Sequence, residues 1–80
     1  MKTEIYRNTF DPKLEMVACF MTYYNADNEL VEDKTRAQYG IGKVGDRRIM
    51  FDQAMDIEPF RKMLIEEGWV VKEIVNHDLS

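Results

Sequence analysis

The residues able to do chemistry are few in this chain, and their spacing decides what each can do. The run Gly40-Ile41-Gly42-Lys43-Val44-Gly45 matches G-x-G-x-x-G to the letter. In a dinucleotide site such a run follows a strand, opens a helix and is trailed by an acidic residue for the ribose. Here the glycines lead into a turn and a further strand, so bulge and hairpin roles are expected of them, not a phosphate cradle. A hairpin form of the loop covers phosphates in protein kinases, but 80 residues cannot supply the rest of that machinery. The stretch from Asn25 to Asp33 has the acidic look of a calcium loop. Yet Leu30 stands where the sharp turn needs glycine, and Arg36 stands where a bidentate glutamate should close the site. A solvated acidic loop is the reading that survives.

His77 is the single histidine, and beside one cysteine it lacks the partners of an ordinary zinc site. His77 and Asp78 would need a nucleophile held next to them, and Ser80 belongs to a polar tail, Asn76 to Ser80, expected to fray. Cys19 lies among apolar neighbours in an expected strand, which suits a buried, inert thiol. Carboxylates are plentiful, but no spacing sets up a close acid–base pair. The expectation is therefore a protein that is not an enzyme, with no catalytic residue, no cofactor and no metal.

Charge is more informative. Asp27, Glu29, Glu32 and Asp33 form an acidic block, and Lys34, Arg36, Lys43, Arg47 and Arg48 follow with only Asp46 opposing them. If Thr35–Val44 pairs with Arg47–Phe51, these cations crowd one hairpin with Tyr39 among them. Ordinary surface charge is the simple reading, and a docking surface for a charged macromolecule is the functional one. Cations beside an aromatic contact phosphates and stack a base. However, the aromatic spacing of an RNP motif is absent around Gly40, and a net charge of −4 opposes a surface wholly adapted to nucleic acid. Glu66 and Glu67 stand at the negative end of an expected helix, as a solvated or partner-facing patch. The expected partner-binding set is thus Lys34, Arg36, Tyr39, Lys43, Arg47, Arg48, Glu66 and Glu67. Met16, Met21, Met50, Met55 and Met63, set beside many aromatics, are read as core filling.

The elements that must position these groups centre on Asp56 to Val75. Asp56 is suited to an N-cap, Glu58 to the positive end of the dipole, and Pro59 to the first turn. Ile57, Phe60, Met63 and Leu64 recur at three- and four-residue steps and share one face. Gly68 can end the helix in a left-handed conformation. Trp69 to Val75 then favours a strand, with Trp69 as a core anchor and Trp69, Val71, Glu73 and Val75 on one side.

Upstream, Lys2–Asn8 is an expected first strand, and Asp11-Pro12 marks a turn. Leu14–Tyr24 is apolar on both faces, as a central strand would be; Leu14, Met16, Ala18, Phe20 and Tyr24 point one way. Asn25 to Asn28 is a polar turn. Leu30 and Val31 begin a strand that Glu32-Asp33-Lys34 interrupt, and another runs from about Thr35 to Val44. Gly45-Asp46 signals a two-residue hairpin with glycine first, Arg47–Phe51 the return strand, and Asp52 to Met55 the lead into the helix. The order β-β-β-β-α-β implies an α+β fold: a small, mostly antiparallel sheet of four to five strands packed on one α-helix.

Length and composition set the frame. Eighty residues make one expected domain, 1–80, with 45% hydrophobic and 32% charged residues, which excludes a disordered or collagen-like chain. So short a chain has a thin margin of stability and little room for an elaborate pocket. The lone Cys19 cannot form an internal disulfide, no run approaches the length of a membrane span, and the start MKTEIYRNTF has no apolar stretch of the kind a secretion signal carries. A cytoplasmic protein with no membrane partner is expected. In general character the chain resembles small phage- or mobile-element-encoded accessory proteins: short, acidic, single-domain and free of cofactor motifs. That likeness implies an inhibitor or regulator of a nucleoprotein complex. The residues support the coarser form, a non-enzymatic binding protein that regulates or inhibits a larger macromolecular partner. The alternatives are a nucleic-acid-binding module using the basic hairpin, and a homodimeric structural or assembly subunit paired through a sheet face or edge.

Overall fold

The computed structural model describes residues 2–76. The elements are β1 (Lys2–Asn8), β2 (Leu14–Tyr24), β3 (Leu30–Lys43), β4 (Gln53–Asp56), α1 (Ile57–Glu66) and β5 (Trp69–Asn76). The five strands form one antiparallel sheet in the order β4-β3-β2-β1-β5, and α1 lies across one face. The expected α+β class and element order both hold. His77, Asp78 and Ser80 lie outside the described residues.

β2, apolar on both faces, takes the central position, between β1 and β3. β4 and β5 form the two outer edges and run in the same direction, so α1 must carry the chain from one edge to the other. Five strands span about 19 Å across, at ~4.8 Å per neighbour, and ten helical residues rise about 15 Å. A helix of that length is used up in crossing, and the long strands β2 and β3 run past its cover.

Under α1 the core is made by Tyr6, Met16, Ala18, Ala37 and Tyr39 of the sheet, with Phe60 and Trp69. Phe60 is the wedge of α1: Tyr6 meets its ring edge-on at 6.5 Å, and Tyr39 lies against it at 5.5 Å. Such pairs add to the area they bury. Trp69 is the core anchor the sequence implies.

The helix ends by different means than its start. At Gly68, φ is +76°, the Glu67 amide donates to the Met63 carbonyl at 2.9 Å, and the β1–β2 turn takes up the last carbonyls. Asn8 Nδ2 donates to the Glu67 carbonyl at 2.8 Å, and the Thr9 amide to that of Gly68 at 2.7 Å. A side chain at Gly68 would also meet Thr9 Oγ1 at 2.6 Å. At the start, Asp56 occupies the N-cap position but makes no capping bond. It is the last residue of β4, directly opposite Arg36, and its carboxylate lies 3.5 Å from Arg36 Nε.

Three expectations are corrected. First, Leu30–Lys43 is a single strand; the acidic interruption is absorbed as an irregularity within it. Second, Arg47–Phe51 is not a strand. The Asp46 amide donates to the Lys43 carbonyl at 3.0 Å with Gly45 at φ +85°, so the glycine takes the third place of a turn. The following segment lies on the sheet: Ile49 and the Met50 carbonyl occupy the space that Cβ atoms at Gly40 and Gly42 would fill. Return pairing is delayed to Gln53–Asp56, the stretch read as a mere lead into the helix. Third, β5 does not alternate simply. A bulge sets Val71 opposite Tyr6 but Glu73 opposite Ile5, and this puts Ile74, not Val75, on the side of Trp69 and Val71.

Candidate interaction surface

Beyond Phe20 the sheet narrows to two strands. Phe20 pairs with Ala37 and Met21 with Asp33, so Lys34, Thr35 and Arg36 face no residue of β2. From there Met21↔Asp33 to Tyr24↔Leu30 continue as a hairpin. The described pairing of β1 with β2 stops at Glu4↔Ala18, and β4 stops opposite Arg36. Among the described residues the hairpin therefore projects as an arm with no strand beside it. It explains the extents of 44 × 26 × 18 Å and a radius of gyration of 13.2 Å, against about 12 Å for a compact chain of this length.

Local chemistry holds the arm in shape. Asn25 Oδ1 accepts from the amides of Asp27 at 3.0 Å and Glu29 at 2.9 Å, and Asn28 takes the left-handed conformation at φ +60°. Asparagine tolerates that region because its side chain bonds locally. At the base, the Asp33 carboxylate accepts from the Thr35 amide at 2.9 Å and from Thr35 Oγ1 at 2.6 Å. These bonds hold the Asp33 carboxyl below its ordinary pKa, so it stays charged further into acid.

The arm carries exposed apolar surface: Tyr23 is 53%, Tyr24 69% and Leu30 51% accessible. Tyr24 sits opposite Leu30, and Tyr23 opposite Val31, which gives each side an aromatic–aliphatic pair. Between Met21 and Asp33 the charged residues are Asp27, Glu29, Glu32 and Asp33, with no cation among them. The chain has 15 acidic and 11 basic residues. Removing the arm's four acids leaves eleven of each, so the whole net charge of −4 resides on the arm.

At the arm's base, between α1 and the sheet, lies a cleft of about 170 Å³. Ala18 and Ala37 give it depth, Phe20, Phe60 and Leu64 wall it, and Lys2, Glu4 and Arg61 supply its charged groups. A closed cavity of ~150 Å³ admits benzene, so the cleft has room for one apolar side chain. Tyr6 Oη donates to the Glu4 carboxylate; burial first, then this bond, push the phenol far above its ordinary pKa. Burial and nearby Glu32 also raise the Cys19 thiol, which is no activated nucleophile.

The expected partner-binding residues do not form one surface. Tyr39 is a core residue: it is 5% accessible, packs on Phe60 and donates to Gln53 Oε1 at 3.1 Å, so its ring is closed to a stacking base. Lys34 and Arg36 flank the arm's base, with Arg36 beside Asp56. Lys43, Arg47 and Arg48 lie at the opposite end of β3, and Arg48 Nε is 3.4 Å from Asp46. Positions 36 and 43 are seven steps apart, about 23 Å of strand. Glu66 contacts Lys62 at 3.8 Å along the helix, and Glu67 ends it. The split follows from β3 itself, which holds Arg36 and Lys43 seven positions apart on one extended strand.

Among the described residues no three of His, Cys, Asp and Glu gather as a metal site would require, and no helix is long and apolar enough to cross a membrane. Comparison with protein-family models, with curated proteins and with solved structures gives no match.

Proposed function

We propose that this is a small cytoplasmic binding protein that regulates or inhibits a larger partner, and that the β2–β3 arm is its docking element. The observation that carries the reading is the arm itself: it projects, it holds all of the net charge, and it exposes Tyr23, Tyr24 and Leu30. Acidic groups steer the encounter with a basic surface, and aromatics at the contact provide affinity once water is excluded. A partner with a basic groove, of the kind that holds nucleic acid in a nucleoprotein complex, fits this chemistry. The cleft under Phe20 is placed to take one apolar side chain of that partner. Lys43, Arg47 and Arg48, at the far end, serve as a second and weaker contact.

The test is affinity purification from the native host, with mass spectrometry and nucleic-acid extraction of the eluate. Wild type runs beside a variant carrying Asp27→Asn, Glu29→Gln, Glu32→Gln and Asp33→Asn, and beside Arg47→Glu/Arg48→Glu. The partner should be lost with the neutral arm and only weakened with the reversed arginines. A purified chain that shifts single- or double-stranded nucleic acid at low salt, through Arg47 and Arg48, would overturn the proposal in favour of a nucleic-acid module.

A further inference from the structure

We propose that β5 pairs edge to edge with β5 of a second copy of this chain, antiparallel, about a two-fold axis between Lys72 and Glu73. β5 is the longer of the sheet's two outer strands, eight residues against four in β4, and it contains no proline. Its outer edge carries Val70, Val71 and Ile74, which are 37%, 50% and 55% exposed. A long apolar edge of this kind is a template for another strand.

The bulge identifies the occupant. A two-fold axis normal to the sheet keeps each face on its own side, so residues it pairs must share a face. In a regular strand, an axis lying between two neighbouring residues would pair opposite faces. Here the pairing with β1 sets Val71 opposite Tyr6 and Ile74 opposite Glu4, both on the helix side. Val70 is opposite Arg7, Glu73 opposite Ile5 and Val75 opposite Thr3, all on the other side. Lys72 reaches Glu15, which is itself paired with Arg7, and so joins that other side. The bulge thus puts Lys72 and Glu73 together and makes the strand complementary to itself. Val71 meets Ile74 of the second copy on the helix side. Val70 meets Val75 on the other side, and Lys72 meets Glu73 twice over. Directly opposed unlike charges and aliphatic pairs are the contacts that stabilise such a ladder. The result is one continuous ten-stranded sheet with its two arms at opposite ends. This pairing does not depend on what the arms bind.

Sedimentation equilibrium of the full chain tests it. The expected mass is about twice 9.5 kDa. Lys72→Glu alone and Glu73→Lys alone each place like charges across the axis, and each should weaken dimerisation about tenfold or more. An equimolar mixture of the two variants should restore the dimer as a heterodimer. The double exchange Lys72→Glu/Glu73→Lys should restore it as a homodimer, and the urea midpoint of each variant shows that it is folded. A wild-type mass that stays at 9.5 kDa up to high concentration overturns the proposal. So do single variants that remain dimeric, or a double exchange that remains monomeric.

Discussion

The half of the sheet beneath α1 and the arm beyond it are built from the same two strands, and they differ in almost every physical respect. Under the helix, β2 and β3 contribute Met16, Ala18, Ala37 and Tyr39, all buried, and the aromatic rings converge on Phe60. Past the register shift, the same strands show Tyr23, Tyr24 and Leu30 to solvent among four carboxylates. Residue type does not explain the difference, because tyrosines occur on both sides of it. The extent of α1 does: ten residues are consumed in crossing from β4 to β5, and what projects past that cover is left exposed. Stability belongs to one half, and recognition is what we propose for the other.

Substitutions in the two halves should have very different consequences. Phe60→Ala removes the ring on which Tyr6 and Tyr39 pack and should cost about 3–5 kcal/mol in urea denaturation. That is most of what a domain of this size has in reserve. Tyr24→Ala deletes a comparable ring on the arm and should change stability by no more than about 0.5 kcal/mol, while reducing partner capture. Gly40→Val would drive a side chain into the Met50 carbonyl and should cost about 1–3 kcal/mol or more. Gly45→Ala has open space around it and bears only the strain of a positive φ, about 1 kcal/mol.

The pH dependences are smaller and opposite in sign. The Tyr6 pKa is raised in the folded chain, so its contribution is complete below the unfolded value of 10.0 and is lost as pH climbs through the folded one. Tyr6→Phe should flatten the stability curve above pH 10.0. The Asp33 pKa is depressed, so its contribution is present above the unfolded value of 3.8 and is lost as pH falls through the folded one. Asp33→Asn should remove that slope from an acid titration, and because solvent screens a carboxylate at the edge of the sheet the change should be slight. In the same spirit, Cys19 should react with iodoacetamide more slowly than an unfolded control at pH 9, and equal rates would mean the thiol is not held as described.

Much of the covered half was legible in the residues. The doubly apolar β2, the spacing of Ile57, Phe60, Met63 and Leu64, and the stop at Gly68 are local patterns, and local patterns carry the period of their element. The rest turned on contacts distant in sequence. Nothing near Arg47 reveals that Ile49 and Met50 will settle over Gly40 and Gly42 and delay the return strand to Gln53. A single extra residue at Lys72 reverses the alternation of everything after it in β5. Tyr39 and Tyr24 exchange roles for the same reason. The first was expected beside exposed cations and packs on Phe60; the second was expected on the same side of its strand as Met16 and is 69% accessible. Only the reach of α1 tells them apart. The acidic block, by contrast, is plain in the sequence, and Tyr23-Tyr24 just before the polar turn was the signal that it would be joined by exposed aromatics.

The most direct test of this division takes the chain with Asp27→Asn, Glu29→Gln, Glu32→Gln and Asp33→Asn and measures two quantities on one preparation: its urea midpoint, and the amount of partner it retains from host extract relative to wild type. An unchanged midpoint with the partner lost is the expected result. Full retention of the partner by a folded, neutral arm would contradict it.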